Sequence, residues 1–222
     1  MRDRILGMAL TLFNDRGIEY VGVRELAREL GVKGGNITYH FPTKDDIVAT
    51  LAEEFSATAA KGYCENEPAT LHGLMRDVEA RFRHGFRYRC LLLSLPFLAR
   101  HNRRAMEAGL DALATGERPQ LVPVLEELRR ERFLDAALSQ RQKERAATLV
   151  GWAERGWVSD AAVRFGQDEP RRSAEHYLRI VSDHLLGLST PRGRVDLRRF
   201  EGELRAGSWP EMDDGRDAPN RS

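Results

Sequence analysis

Residues Val23 to Lys44 read VRELARELGVKGGNITYHFPTK. The spacing predicts two short helices joined by a tight turn, with a third helix opening just after. Val23, Leu26 and Leu30 recur at helical intervals and make one apolar stripe. Ala27 is small enough for a second helix to cross close over the first. Gly31 can take a positive φ at the turn without the Cβ penalty, and Ile37 returns a β-branched side chain to the first helix. This is the helix-turn-helix pattern, which presents its second helix to the major groove of DNA. An ordinary helical hairpin with a glycine turn has the same spacing, so the flanks decide between the two.

Upstream, Ile5, Leu6, Ala9, Leu12 and Phe13 form one face of an amphipathic helix closed by Gly17. Downstream, Pro42 stops helical continuation, Thr43 is a good N-cap, and Asp45 and Asp46 suit the positive end of the next helix dipole. This order resembles the N-terminal domain of the TetR family of bacterial regulators. The residues that carry the resemblance are Ala9, Leu12, Phe13, Gly17, Val23, Arg24, Leu26, Ala27, Gly31, Val32, Gly35, Ile37, His40, Phe41 and Lys44, within roughly the first quarter of the chain. Residues 35–41, GNITYHF, are similar to the GN-hydrophobic-x-YHF variant of that family. Three positions depart from the family pattern. Val21-Gly22 stand where a Thr or Ser cap is usual, Lys33 stands where the second helix usually opens with Ser, and Thr38 stands where a tyrosine is common.

Composition sets the class. The chain has 222 residues, 41% hydrophobic and 31% charged, with a formal net charge of +1. That describes a soluble globular protein with enough chain for a substantial core. No apolar run approaches the ~20 residues of a membrane span. Helical pattern begins by Ile5, so no signal peptide is expected. Two cysteines, Cys64 and Cys90, are too few for a disulfide framework, and a cytoplasmic setting is expected. Residues 1–62 carry eight Lys/Arg against nine Asp/Glu. A nonspecific DNA binder would be basic overall; a helix-turn-helix reader needs only a local patch, here Arg24, Arg28, Lys33 and Lys44.

The expected fold is all-α: an N-terminal three-helix DNA-binding domain with a helix-turn-helix, then a larger helical ligand-binding and dimerisation domain. Helices are predicted near 3–16, 24–30, 34–41 and 44–62, then 69–94, 96–115, 120–133, 137–155, 173–188 and 195–205. The corresponding domains are 1–45 and 46–206, with helix 44–62 bridging, a break at 65–68 and a disordered tail over 207–222. Two late segments are apolar over more than one face: Ala146, Leu149, Val150 and Trp152 in one, Tyr177, Leu178, Val181, Leu185 and Leu188 in the other. Such a helix lies in deep core or is shared with a partner subunit. The resemblance favours a four-helix bundle made by two subunits.

Candidate DNA contacts follow from side-chain chemistry. Lys33, Gly34, Asn36 and Thr38 open the second helix: glycines let the backbone approach closely, Asn36 can pair with adenine, and Thr38 can touch a thymine methyl. Arg24 can reach guanine or phosphate. Tyr39, His40 and Lys44 are implied by the resemblance to be phosphate clamps, which set register without reading sequence. Phe82, Phe86, Tyr88, Phe97, Trp152 and Tyr177 are the aromatics that an effector pocket in the second half could use, each with core packing as the alternative. His72, His84, His101, His176 and His184 form no carboxylate-supported i,i+4 pair, so no metal is expected. There is no nucleophile elbow, phosphate loop or Cys/His zinc spacing, and neither a cofactor nor an enzymatic activity is expected.

The resemblance, together with these residues, implies a ligand-responsive, homodimeric transcription repressor whose partners are double-stranded operator DNA, a second copy of itself and a small-molecule effector. An activator, or a regulator without an effector, has the same residue pattern. A helical partner-binding module with a degenerate DNA head is the reading that the acidic balance of residues 1–62 and the missing Thr and Ser caps favour.

Overall fold

The first helix, α1 (Arg2–Arg16), forms where the apolar spacing places it, with Ile5, Leu6, Ala9, Leu12 and Phe13 buried. It stops at Gly17, whose φ of 89° suits glycine and whose N–H returns to the Phe13 carbonyl at 2.9 Å. The second helix, α2 (Val23–Leu30), buries Leu26 and Ala27. Its end is a Schellman closure: Gly31 sits at φ 66°, its N–H bonds Arg28 O at 3.1 Å, and the Val32 N–H bonds Ala27 O at 2.9 Å. The third helix, α3 (Gly34–His40), follows after a three-residue turn and ends where the Phe41 N–H reaches Ile37 O. Helix α4 (Lys44–Ala59) is opened by a reciprocal cap. The Asp46 N–H donates to Thr43 Oγ1 at 3.3 Å, and the Thr43 N–H and hydroxyl donate to the Asp46 carboxylate at 2.9 and 2.7 Å.

This computed structural model describes residues 1–59, 61–64, 69–111, 118–165 and 169–207. Among the described residues there is no strand, only an isolated antiparallel bridge between Leu134 and Ser189. None of the described helices is long and apolar enough to cross a membrane. The expected break at 65–68, the end of the helix expected to reach 115, and the tail from 208 lie outside the described residues.

The later helices are α5 (Leu71–Arg87), α6 (Arg89–Leu93), α7 (Leu95–His101), α8 (Arg103–Ala105) running into a π turn (Met106–Leu110), α9 (Leu121–Arg130), α10 (Gln140–Arg164), α11 (Pro170–Leu186) and α12 (Pro191–Arg205). Three differ from the sequence expectation. The helix expected over 69–94 is broken at Tyr88. There the Asn14 side chain takes the backbone on both sides: its Nδ2 donates to Arg87 O at 2.8 Å, and its Oδ1 accepts from the Cys90 N–H at 3.0 Å. The boundary expected at Pro96 is present: α6 ends at Leu93 and α7 opens at Leu95, with Pro96 in its first turn, where no N–H is needed. The helix expected over 96–115 breaks at Asn102, whose Oδ1 caps the Ala105 N–H, and passes through Gly109 at φ 111°. A Cβ on Gly109 would lie 2.6 Å from Ser56 Oγ, so only glycine lets this turn pack on α4. The helix expected over 137–155 continues to Arg164 from a Ser139–Gln142 capping box.

Packing divides the described chain into two units, residues 1–58 with 84–111 and residues 59–83 with 118–207. The first holds α1–α4 and α6–α8. In the second, α10 packs along α11 and α11 along α12. Phe82 and Trp157 stack in parallel in its core, ring centres 5.2 Å apart. The Glu154 carboxylate is buried beside them and accepts from the Tyr63 hydroxyl at 2.7 Å and Arg118 Nε at 2.8 Å, so the burial is compensated by charge-assisted bonds.

Candidate nucleic-acid interface

Helix α3 is held by one buried side chain. Ile37 is fully buried, whereas Lys33, Gly35, Asn36, Thr38 and Tyr39 are exposed and Gly34 and His40 are half-buried. Tyr39 is 84% exposed. Positions 36, 38 and 39 therefore present an amide, a hydroxyl and a phenol outward from a short rod pinned to α2 on its opposite side. The Thr38 hydroxyl also donates back to Gly35 O at 3.3 Å.

The glycines on this rod have no internal explanation. A Cβ built on Gly34 or Gly35 meets no atom within 4 Å, and neither residue has a positive φ. Glycine in a helix costs ~1 kcal/mol relative to alanine. At Gly31 that cost is offset by the left-handed turn; at positions 34 and 35 nothing inside the protein requires it. The caps are also bare, since neither Gly22 before α2 nor Lys33 before α3 makes a side-chain cap bond.

Charge around the rod is redistributed relative to the sequence expectation. Arg28 lies 3.5 Å from both Glu25 and Glu29, and Arg16 pairs with the same two carboxylates. Arg28 is therefore neutralised. The Lys44 ammonium donates to Ile18 O at 2.9 Å, which fastens the loop between α1 and α2 to the start of α4. Arg24 and Lys33, both exposed, have no carboxylate partner among the described residues. The local cations left uncompensated on α2 and at the start of α3 are these two. The His40 ring meets Tyr39 edge-on at 5.2 Å and borders a cleft of about 560 Å³ shared with Arg2, Phe41, Asp46 and Arg104. Arg2 was not among the residues singled out by sequence; its partner Phe41 lies far from it along the chain, so no local pattern marks it. Asp46 bonds Arg104 as well as Thr43, and the Thr43 hydroxyl is the main cause that holds its carboxyl below the ordinary 3.8.

The six candidate effector aromatics are not brought together. Phe82 is buried against Trp157, Tyr88 is buried beside Phe55 and His84, and Phe86 is half-buried under Arg89. Phe97 is 37% and Trp152 57% exposed, and the Tyr177 hydroxyl bonds Asp160. None of the six borders the cleft at His40 or a second cleft of about 500 Å³ lined by Arg171, Arg172, Arg179 and Arg205. Burial pushes the Cys64 thiol up to about 11 and the Cys90 thiol up to about 12, so neither is a ready thiolate. Among the described residues no group of three or more His, Cys, Asp or Glu side chains is placed to hold a metal ion.

Residues 5–51 match the family described as bacterial regulatory proteins, tetR family. The HTH-type transcriptional repressor KstR2 of Mycolicibacterium smegmatis is 35% identical over 54 residues, 24% of this chain; the match spans only 26% of that protein's length. The described fold resembles a TetR-family transcriptional regulator from Marinobacter aquaeolei VT8, with a TM-score of 0.72 at 20% identity, covering 92% of this chain and 98% of the other. It also resembles a gamma-butyrolactone receptor (ArpA-like protein), with a TM-score of 0.62 at 20% identity over 91% and 97% of the two chains. The SmeT–triclosan complex gives a TM-score of 0.60 at 16% identity over 86% and 92%. Residues 5–51 thus match the tetR family in sequence, and the described helices share the fold of these solved structures.

Proposed function

We propose that this chain, with its tetR-family head, is a homodimeric transcription repressor that releases its operator when a small molecule binds its larger helical domain. The observation that carries the reading is α3 itself: a rod fixed by Ile37 alone, with Asn36, Thr38 and Tyr39 facing outward and unfilled space over Gly34 and Gly35. That is the surface a major groove requires, since base edges are reached only by a helix whose outer face lies bare. Arg24, Lys33, Gly34, Asn36 and Thr38 lie at or beside base edges in this reading, and Tyr39, His40 and Lys44 contact phosphates. The carboxylates of Glu25 and Glu29 are matched by Arg16 and Arg28. The acidic balance of the head therefore leaves Arg24 and Lys33 uncompensated, which favours DNA over a protein partner.

Two subunits would place their α3 rods in half-sites about one helical turn apart, ~34 Å, or a multiple of it. Exposed apolar side chains on α10 and α11, Trp152, Val163 and Ile180, support a shared bundle of four helices. The partly buried Leu149 and Tyr177 extend the same two surfaces. KstR2 is named a repressor, and among the fold relatives one is named a receptor and another is a complex with triclosan. By that analogy the larger domain takes an effector and acts in the cytoplasm. Coupling of ~1–3 kcal/mol between effector and operator would change DNA affinity several-fold to about a hundredfold.

The test is binding of the DNA directly upstream of the protein's own coding region, followed by fluorescence anisotropy, against single-base operator variants. Asn36→Ala should weaken operator binding by roughly tenfold to a hundredfold and flatten the differences between variants, as expected for loss of one bidentate base contact. If Asn36→Ala ranks the variants as the parent does, Asn36 is not a reader. Absence of any salt-sensitive binding by the parent would remove the DNA reading altogether.

A further inference from the structure

A cation on α1 sits against the recognition helix and is not explained by the helix-turn-helix pattern. Arg2 is exposed, and its guanidinium carbon lies 5.1 Å from the centre of the Phe41 ring. Phe41 is the residue that ends α3 and is itself buried, so the stack fixes a positive charge at the carboxyl end of the rod. Arg2, His40 and Phe41 border one cleft. The carboxylates on that cleft are Asp46, Glu53 and Glu107. Asp46 is bonded by Thr43 and Arg104, and Glu107 by Arg103 at 2.6 Å. Glu53 is exposed on α4, and among the described residues it makes no ion pair with Arg2. Among the described residues, the Arg2 guanidinium is therefore not matched by a carboxylate. Lys44, the cation expected on this flank, meanwhile has one of its N–H groups turned inward to Ile18 O.

We infer that Arg2 is a phosphate-contacting residue of the DNA interface, seated on Phe41 as a platform beside the carboxyl end of α3. The inference rests on the DNA reading above and deepens it by adding a contact from outside the helix-turn-helix. A guanidinium stacked on a ring keeps its edge N–H groups free, and those edges match the paired oxygens of a phosphate. A phosphate contact carries no base information. Arg2 therefore sets affinity and salt dependence and leaves sequence preference alone.

The experiment measures affinity as a function of salt for the parent, Arg2→Ala and Arg2→Lys, on two labelled duplexes: the DNA upstream of the coding region and a scrambled duplex of equal length. Each neutralised phosphate contributes about 0.9 to the slope of log affinity against log salt. Arg2→Ala should lower the slope by about 0.9 per protomer on both duplexes, weaken both equally, and preserve the ranking of operator variants. Arg2→Lys should keep the slope, because the charge remains. An unchanged slope in Arg2→Ala overturns the assignment, and a lowered melting temperature beside it would show that Arg2 only packs on Phe41. Unequal weakening of the two duplexes overturns it also, by making Arg2 a base reader. A parent that binds neither duplex in a salt-sensitive way sinks the DNA reading itself, and Arg2 with it; a parent that binds while Arg2→Ala matches its slope sinks Arg2 alone.

Discussion

The Cys90 N–H donates to the side chain of Asn14, which lies 76 residues earlier and is itself buried in α1. The same amide donates to Arg87 O, so a single side chain closes the break between α5 and α6. A buried backbone group left without a partner costs roughly 1–3 kcal/mol. Asn14→Ala strands an acceptor and a donor together. It should destabilise the protein by about 2 kcal/mol or more, read as a lower melting temperature in calorimetry. A melting temperature equal to the parent's would show that the break at Tyr88 persists without Asn14.

Gly34 and Gly35 should separate stability from binding. Alanine fits at either position and favours the helix, so Gly35→Ala should raise stability by up to ~1 kcal/mol. If the vacant space is where DNA approaches, the same substitution should weaken operator binding. Gly31→Ala is the contrast: at φ 66° it should destabilise by about 1–2 kcal/mol. Operator affinity in Gly35→Ala equal to the parent's would mean that the groove does not use that space.

The cap of α4 gives the head a dependence on acid. Asp46 has a folded-state pKa below 3.8, chiefly because Thr43 donates to its carboxylate. It therefore binds its proton less readily when folded than when unfolded. Its stabilising effect is complete above the unfolded value and is lost as pH falls through 3.8 and then the lower folded value. Thr43→Val removes the hydroxyl. Denaturant melts of parent and variant should converge as the pH drops through this window and differ most near neutrality. A constant gap at all pH values would place the effect of Thr43 elsewhere.

Trp152 should govern assembly. It projects from α10 with 57% of its surface exposed, although its neighbours Val150 and Gly151 are buried. Tryptophan anchors at the centre of interfaces commonly carry 2 kcal/mol or more, which is roughly thirtyfold in a dimer dissociation constant. Trp152→Glu should shift sedimentation towards monomer and weaken operator binding while far-ultraviolet circular dichroism holds. If it sediments as the parent does, the shared bundle uses another face.

The head was the most legible part of the chain, for reasons visible in particular residues. Leu26, Ala27 and Ile37 are buried and Gly31 closes the turn between them, all within a few residues of sequence, so local spacing encodes the geometry that the structure shows. Thr43 and Asp46 form a cap within three residues and were equally readable. The fate of charge was not. Arg28 and Lys44 read as free cations, yet Glu25, Glu29 and the Ile18 carbonyl take them up, because side-chain pairing depends on how the elements approach. The aromatics of the second half were least readable, since helical periodicity is the same for a ring that stacks inside, like Phe82, and one that projects outside, like Trp152.

Two levels of information separate here. By itself, the sequence determined that the described chain is helical, where α1 to α3 begin and end, where α4 begins, and that α3 crosses α2 on Ile37, because helix periodicity, caps and the left-handed glycine act over a handful of residues. Tertiary structure alone decided that α5 stops at Tyr88, that Gly109 must lie bare against Ser56, and that Arg2 rests on Phe41. Each of those depends on atoms brought together from distant parts of the chain, and no local pattern carries that distance.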